Sequence, residues 1–255
     1  MADLIHFEHP LNERIRTFLR LEHLFLQVDH FRPQADPWSN RAAIDGLLSI
    51  ISIFARSDLK TEILKELERH TSNLERVRQQ PGVDMQALGQ VVDDLEQAIH
   101  QVYQMNGQIA RHLRSNEFLT TILQRSSIPG GSCNFDLPQY HFWLNQPHDV
   151  RQHQMSDWLQ ELLPVREAVV LLLNLVRNSK LPTRELAEHG FFQRTLESSA
   201  PAQMIRVSLP RTSTVFTEIS GNKHRFSIRF LESSDAGKPL QTSSDVEFLL
   251  TSCIF

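Results

Sequence analysis

The residues best suited to covalent or metal chemistry in this chain are two cysteines, Cys133 and Cys253, and twelve histidines. A thiolate nucleophile needs a base within hydrogen-bond reach, and Cys133 with His141 or His224 is the available pairing. No nucleophile motif orders these residues, so Cys133 reads as a core or edge cysteine. His6 with His9, His141 with His148, and His148 with His153 lack further ligands at a helix-face spacing, which argues against a zinc site. Pro129-Gly130-Gly131-Ser132 has too few glycines for a phosphate loop, carries no lysine, and precedes a segment that reads as extended rather than helical. The carboxylates Asp93, Asp94, Glu66 and Glu68 fall on the polar faces of predicted helices and read as solvated. The chain is therefore expected to be a non-enzyme, with no catalytic residue, metal, cofactor or small-molecule substrate.

Arginine is the residue type whose placement stands out. The whole chain is acidic, with 26 Lys and Arg against 30 Asp and Glu. Between Pro201 and Phe230 the balance reverses: Arg206, Arg211, Lys223, Arg225 and Arg229 face Glu218 as the one acid. In a strand, successive side chains point to opposite faces. If Phe226, Ile228 and Phe230 face the core, Arg225 and Arg229 share the other face across Ser227. By the same parity Arg206 lies opposite Ile205 and Val207, and adjacent strands would gather these guanidinium groups on one sheet face. A planar guanidinium binds a carboxylate or phosphate through two parallel bonds, so such a face suits an anionic peptide. A solvated face paired to local acids is the plainer reading, and periodicity alone leaves both open. A nucleic-acid-binding module on the same face is the competing function. It would call for exposed aromatics, and the negative net charge argues against bulk attraction to nucleic acid or to a membrane surface.

The elements that must position these residues follow from periodicity. His9 to Asn12 reads as a helix start, followed by Ile15, Phe18, Leu21 and Phe25 at helical spacing. Trp38 to Phe54 reads as a second amphipathic helix. Ile63, Leu67, His70, Leu74 and Val77 step by four and three, and so do Leu88, Val92, Leu95, Ile99, Val102, Asn106, Ile109 and Leu113. Between the two series Pro81-Gly82-Val83-Asp84 combines a chain breaker with a helix-capping aspartate. The pattern predicts a long antiparallel helical hairpin zipped along one seam. Ser127 to Gly131 reads as a turn cluster, Ser132 to Asp136 as a short extended piece, and Pro138 as a new helix start. Val150 to Arg177 is helical, with Pro164 at a kink or junction.

After Pro182 the period changes to two. Ile205 to Leu209, Phe216 to Ile219, His224 to Phe230 and Val246 to Phe248 read as antiparallel strands, with Ser220 to Lys223 turning a hairpin. The expected class is α+β: a helical domain over 1–126 and 137–180, and a β domain over 127–136 and 187–255. Sparse cysteines, the lack of a signal-like start at Met1 to Glu8, and an apolar run over Ala168 to Leu173 too short to span a bilayer make the cytoplasm the expected compartment.

Several blocks run in order along the chain: Phe7 to Glu13 with Arg16-Thr17 and Leu19-Arg20, Lys65-Glu66-Leu67, Pro81 to Asp84, and Ser127 to Gly131. Phe135 to Pro138 with Trp143-Leu144 follows, then Ile219-Ser220-Gly221 through Lys223 and Arg225-Phe226 to Ile228-Arg229-Phe230. Together these blocks resemble the ZapD family of bacterial division proteins. The resemblance implies a helical domain, a β domain, a homodimer, and a partner, the tubulin-like GTPase FtsZ. It further implies that a basic pocket holds the C-terminal tail of FtsZ and that dimers cross-link filaments at the midcell division ring. Carried over by motif, Lys223, Arg225 and Arg229 are pocket residues, with Arg56 joining from the helical side; Arg206 comes in from the strand parity.

Overall fold

The computed structural model describes residues 3–55, 58–78, 84–105, 107–197, 201–234 and 237–254. In chain order the elements are β1 (Leu4–Pro10), α1 (Glu13–Phe31), α2 (Pro37–Phe54), α3 (Leu59–Val77), α4 (Met85–Gln104), α5 (Arg111–Ser115), α6 (Glu117–Ser126), α7 (Pro138–Leu144), α8 (His148–Gln160) and α9 (Leu163–Arg177). The strands β2 (Thr183–Ala187), β3 (Phe191–Thr195), β4 (Ala202–Pro210), β5 (Val215–Gly221), β6 (Arg225–Glu232), β7 (Leu240–Gln241) and β8 (Val246–Ile254) follow. The class is α+β. Two compact units form, Leu19–Leu171 and Met1–Phe18 with Leu172–Phe255. No helix among the described residues is long and apolar enough to cross a membrane.

Aspartate caps fix the starts of α2, α3 and α4 in the first unit. The Asp36 side chain accepts from the backbone N–H of Trp38 and Ser39 at 3.0 and 2.9 Å, with Pro37 in the first turn of α2. Asp84 accepts from Gln86 and Ala87 at 3.0 and 3.1 Å and so begins α4. An aspartate oxygen at this position satisfies amide donors that have no partner within the helix. Asp84→Ala is expected to lower stability by about 1 kcal/mol, read as an earlier midpoint in a urea titration.

The α3–α4 seam buries Ile63, Leu67, His70 and Leu74 against Leu95, Ala98 and Val102. It departs from the sequence reading in two ways. The second helix does not run on to Leu113: α4 ends at Gln104, Gly107 and Ala110 take positive φ values of 69° and 58°, and α5 starts afresh at Arg111. Ile109 and Leu113 are still buried, and apolar spacing reports which side chains are inside, not whether the backbone bends between them. Glu66 is not solvated either. It is 2% exposed, with Arg69 forked onto its carboxylate at 2.6 Å, because the buried arc of α3 is wider than a single seam. Pro81 to Val83 and Asn106 lie outside the described residues.

Ser132 to Asp136 is a correction as well. The N–H of Cys133 donates to Gly130 O, and those of Asp136 and Leu137 both donate to Cys133 O. These short-range bonds curl 127–136 into successive turns within the Leu19–Leu171 unit, and the segment holds no strand. Pro138 does open α7, and Pro164 sits in the first turn of α9 just after the break that follows α8.

The second unit is an antiparallel β-sandwich. One sheet has the order β1-β4-β8-β2 and the other β3-β6-β5, with β7 pairing the end of β6. Between them Ile205, Val207 and Leu209 of β4 and Phe248 and Leu250 of β8 meet Phe226, Ile228 and Phe230 of β6 in one core cluster. Strand β1 belongs here, pairing with β4 from Leu4↔Pro210 to Pro10↔Met204. The alternation of Ile5 and Phe7 with His6 and Glu8 carries its signature, although the sequence reading began the first element at His9.

Candidate binding face

The outer face of the smaller sheet is built from the β5–β6 hairpin. Asn222 closes the turn: its side-chain oxygen accepts from the N–H groups of His224 and Arg225 at 2.9 and 3.1 Å, and its own N–H donates to Arg225 O at 2.9 Å. Gly221 is required by close packing, since a Cβ there would lie 2.9 Å from both Leu11 Cδ2 and Phe226 Cβ. Lys223 occupies the exposed loop, and Arg225, Ser227 and Arg229 leave β6 on the side opposite its buried phenylalanines. Cross-strand pairing brings Thr195 beside Arg225, Gln193 beside Ser227, and Phe191 beside Arg229 on β3. On β5, Ser220 lies beside Ser227 and Glu218 beside Arg229.

Small residues at the middle of this face leave a depression of about 340 Å³ lined by Phe191, Gln193, Ser220, Asn222, Arg225 and Ser227. Arg229 approaches Glu218 at 3.7 Å, with both side chains more than half exposed. Such a pair is screened by water and holds the guanidinium loosely. Arg225 has no acid within ion-pair distance among the described residues. One free guanidinium, one weakly held one and the half-exposed Phe191 (40%) therefore surround an open polar hollow. The sequence reading did not single out Phe191. The signal was the pair Phe191-Phe192, because in a strand only one of two consecutive phenylalanines can face the core.

Arg206 is elsewhere. Its parity on β4 was as expected, but β4 and β6 belong to different sheets, so Arg206 does not share a face with Arg225 and Arg229. It lies across β1 from Glu8, 3.5 Å from that carboxylate. Arg177 of α9 forks onto the same Glu8 with two bonds of 2.8 Å. These three groups are mostly enclosed, with side-chain exposures of 17% for Glu8 and Arg177 and 24% for Arg206. Beneath them, burial first and then the Glu8 charge push the Cys253 thiol up to about 12. Arg211 pairs with Asp3 at 2.6 Å on the surface. Arg56 lies outside the described residues. Phe54 and Ala55, just before it, line a cavity of about 380 Å³ with Lys60 and Arg114. There Lys60 is engaged with the carbonyls of Tyr103 and Met105, and Arg114 with Gln108.

Cys133 is exposed in a turn. The His6 ring bonds Ser208 Oγ at 2.7 Å, and burial together with the Arg206 charge lowers its pKa. His153 pairs with Asp157 on an exposed helix face at 3.7 Å. Among the described residues no group of three or more His, Cys, Asp or Glu is placed to hold a metal ion.

Fold and face together define an α+β protein with a helical unit and a β-sandwich whose smaller sheet presents an open cationic surface. The family model described as ZapD, cell division protein, matches residues 19–229. The chain is similar to the cell division protein ZapD of Methylococcus capsulatus, at 41% identity over 254 residues and the full length of both. It is likewise similar to those of Azoarcus sp., at 38% over 98% of this chain and 99% of the relative, and Aromatoleum aromaticum, at 39% over 98% and 97%. The chain belongs to the ZapD family of cell division proteins.

Proposed function

We propose that this chain is a division adaptor that binds the C-terminal tail of FtsZ and, as a homodimer, cross-links FtsZ filaments in the cytoplasm at the midcell ring. The observation that carries the reading is the exposed face of β6, where Arg225 stands without an acidic partner beside a hollow bordered by Phe191. Lys223 and Arg229 extend the positive surface on either side. A carboxylate of the tail would take the Arg225 fork, and an apolar side chain would pack on Phe191. A flexible tail loses conformational freedom on docking, so one site is expected to bind weakly to moderately. Two sites on a dimer meeting many tails on a filament raise avidity by roughly 10²–10⁴ without new contacts. Cross-linking by this route asks for no nucleotide or catalytic group in this chain.

Co-sedimentation with FtsZ polymers tests the reading. The chain should pellet with full-length polymers and stay in solution with polymers lacking the tail. Equal pelleting with both would refute it. Affinity for the isolated tail peptide should fall as salt rises, because charge screening shortens from about 8 Å at physiological ionic strength to about 3 Å at 1 M.

A further inference from the structure

The smaller sheet ends in an open edge next to the cationic face. In an antiparallel pair, residues alternately direct their backbone groups toward and away from the neighbouring strand. The Leu196 N–H donates to His224 O at 2.7 Å and the Phe230 N–H to Gly190 O at 2.8 Å. With the register Thr195↔Arg225 to Phe191↔Arg229, this assigns the backbone groups of 190, 192, 194 and 196 to β6. Those of 191, 193 and 195 then point to the other side. The Phe191 N–H is taken by Glu188 O at 3.0 Å, which leaves Gln193 and Thr195. No strand among the described residues pairs with them, and both residues are exposed. Arg194, pointing to the opposite side of β3, is tied to Glu185 at 2.8 Å, which braces this edge of the sandwich.

An uncovered edge is a template for another extended chain. Here the template has a charge preference. Thr195 is small, and the Arg225 beside it can extend over it toward the edge, whereas Phe191 stands between Arg229 and that edge. An incoming strand therefore meets a guanidinium at the Thr195 end and an aromatic ring at the Phe191 end. We infer that an acidic peptide in extended conformation docks by adding a strand to β3, through the backbone groups of Gln193 and Thr195, with a carboxylate placed at Arg225. The inference rests on the tail-binding reading above and specifies its geometry: main-chain pairing supplies part of the affinity, and the outer face selects side chains.

Proline at 193 removes the outward N–H without touching the ladder to β6, a placement that edge strands tolerate. With the intact chain and a synthetic FtsZ tail peptide, Gln193→Pro should weaken calorimetric affinity at least tenfold, and Gln193→Ala, which keeps the N–H, by less than threefold. Amide exchange on the unmodified chain gives a second readout that needs no variant. The Gln193 and Thr195 amides should exchange fast in the free protein and become protected when peptide is added. If the peptide binds the unmodified chain but these amides stay unprotected and the two variants bind alike, strand addition is wrong and tail binding survives. If the unmodified chain fails to bind the peptide, the tail-binding reading itself falls. Protection of the same amides without peptide, varying with protein concentration, would assign the edge to a second copy of this chain and overturn the proposal.

Discussion

Arg225→Glu should weaken tail-peptide binding by roughly a hundredfold or more while leaving the thermal midpoint of the protein within a degree or two. A charge-assisted hydrogen bond to a carboxylate is worth about 1.5–3 kcal/mol, and reversing the sign adds repulsion to its loss, so about 3 kcal/mol is a lower figure for the change. Stability should be spared because Arg225 is exposed, has no acid near it among the described residues, and leaves the buried side of β6 untouched. Arg229→Glu should also weaken binding, but less cleanly, since it sets a second carboxylate beside Glu218. Calorimetry on both variants, with thermal melts alongside, checks the prediction. Unchanged affinity in both would remove the β6 face from the binding site.

The largest loss of stability is expected from Glu8→Ala. That carboxylate is the shared partner of Arg177 and Arg206, and all three groups are mostly shielded from water. Removing it takes the acid from Arg206 and one partner from Arg177, leaving two positive charges around the vacated position with little solvent. Breaking a buried pair from one side costs about 3–5 kcal/mol; the residual exposure here favours the lower end, about 3 kcal/mol. A chemical denaturation series should show this as a fall in midpoint. Arg206→Met in the Glu8→Ala background should recover part of the loss, because it relieves the repulsion. Tail binding, measured below the transition, should be unaffected by Arg206→Met, since Arg206 is not on the Arg225 face. A hundredfold loss there would return Arg206 to the site.

Features carried by short-range rules were legible in the sequence. Asp84 caps α4, Pro138 opens α7, and Asn222 closes a hairpin whose second strand buries Phe226, Ile228 and Phe230 and exposes Arg225 and Arg229. In each case the determining contacts lie within a few residues, so composition and spacing hold the information. The errors came where distant segments decide. Glu66 read as solvated because nothing local shows that its side of α3 is enclosed. Ser132 to Asp136 is the exception, a local miss: turn bonds to Gly130 and Cys133 curl a segment too short for its residue spacing to show a period.

Arginine placement divides along the same line. The sequence by itself determined the α+β class, the faces of individual strands, and the grouping of Arg225 and Arg229, because strand parity is a property of the backbone repeat. Only the tertiary structure decided which strands share a sheet. It put β4 and β6 in opposite layers, gave Arg206 to Glu8 on a strand from the other end of the chain, and lined one hollow with Phe191 and Arg225 on the face next to the open edge of β3. Sheet membership follows from long-range pairing that buries the most apolar surface on both inner faces, and parity along one strand carries no record of its neighbours.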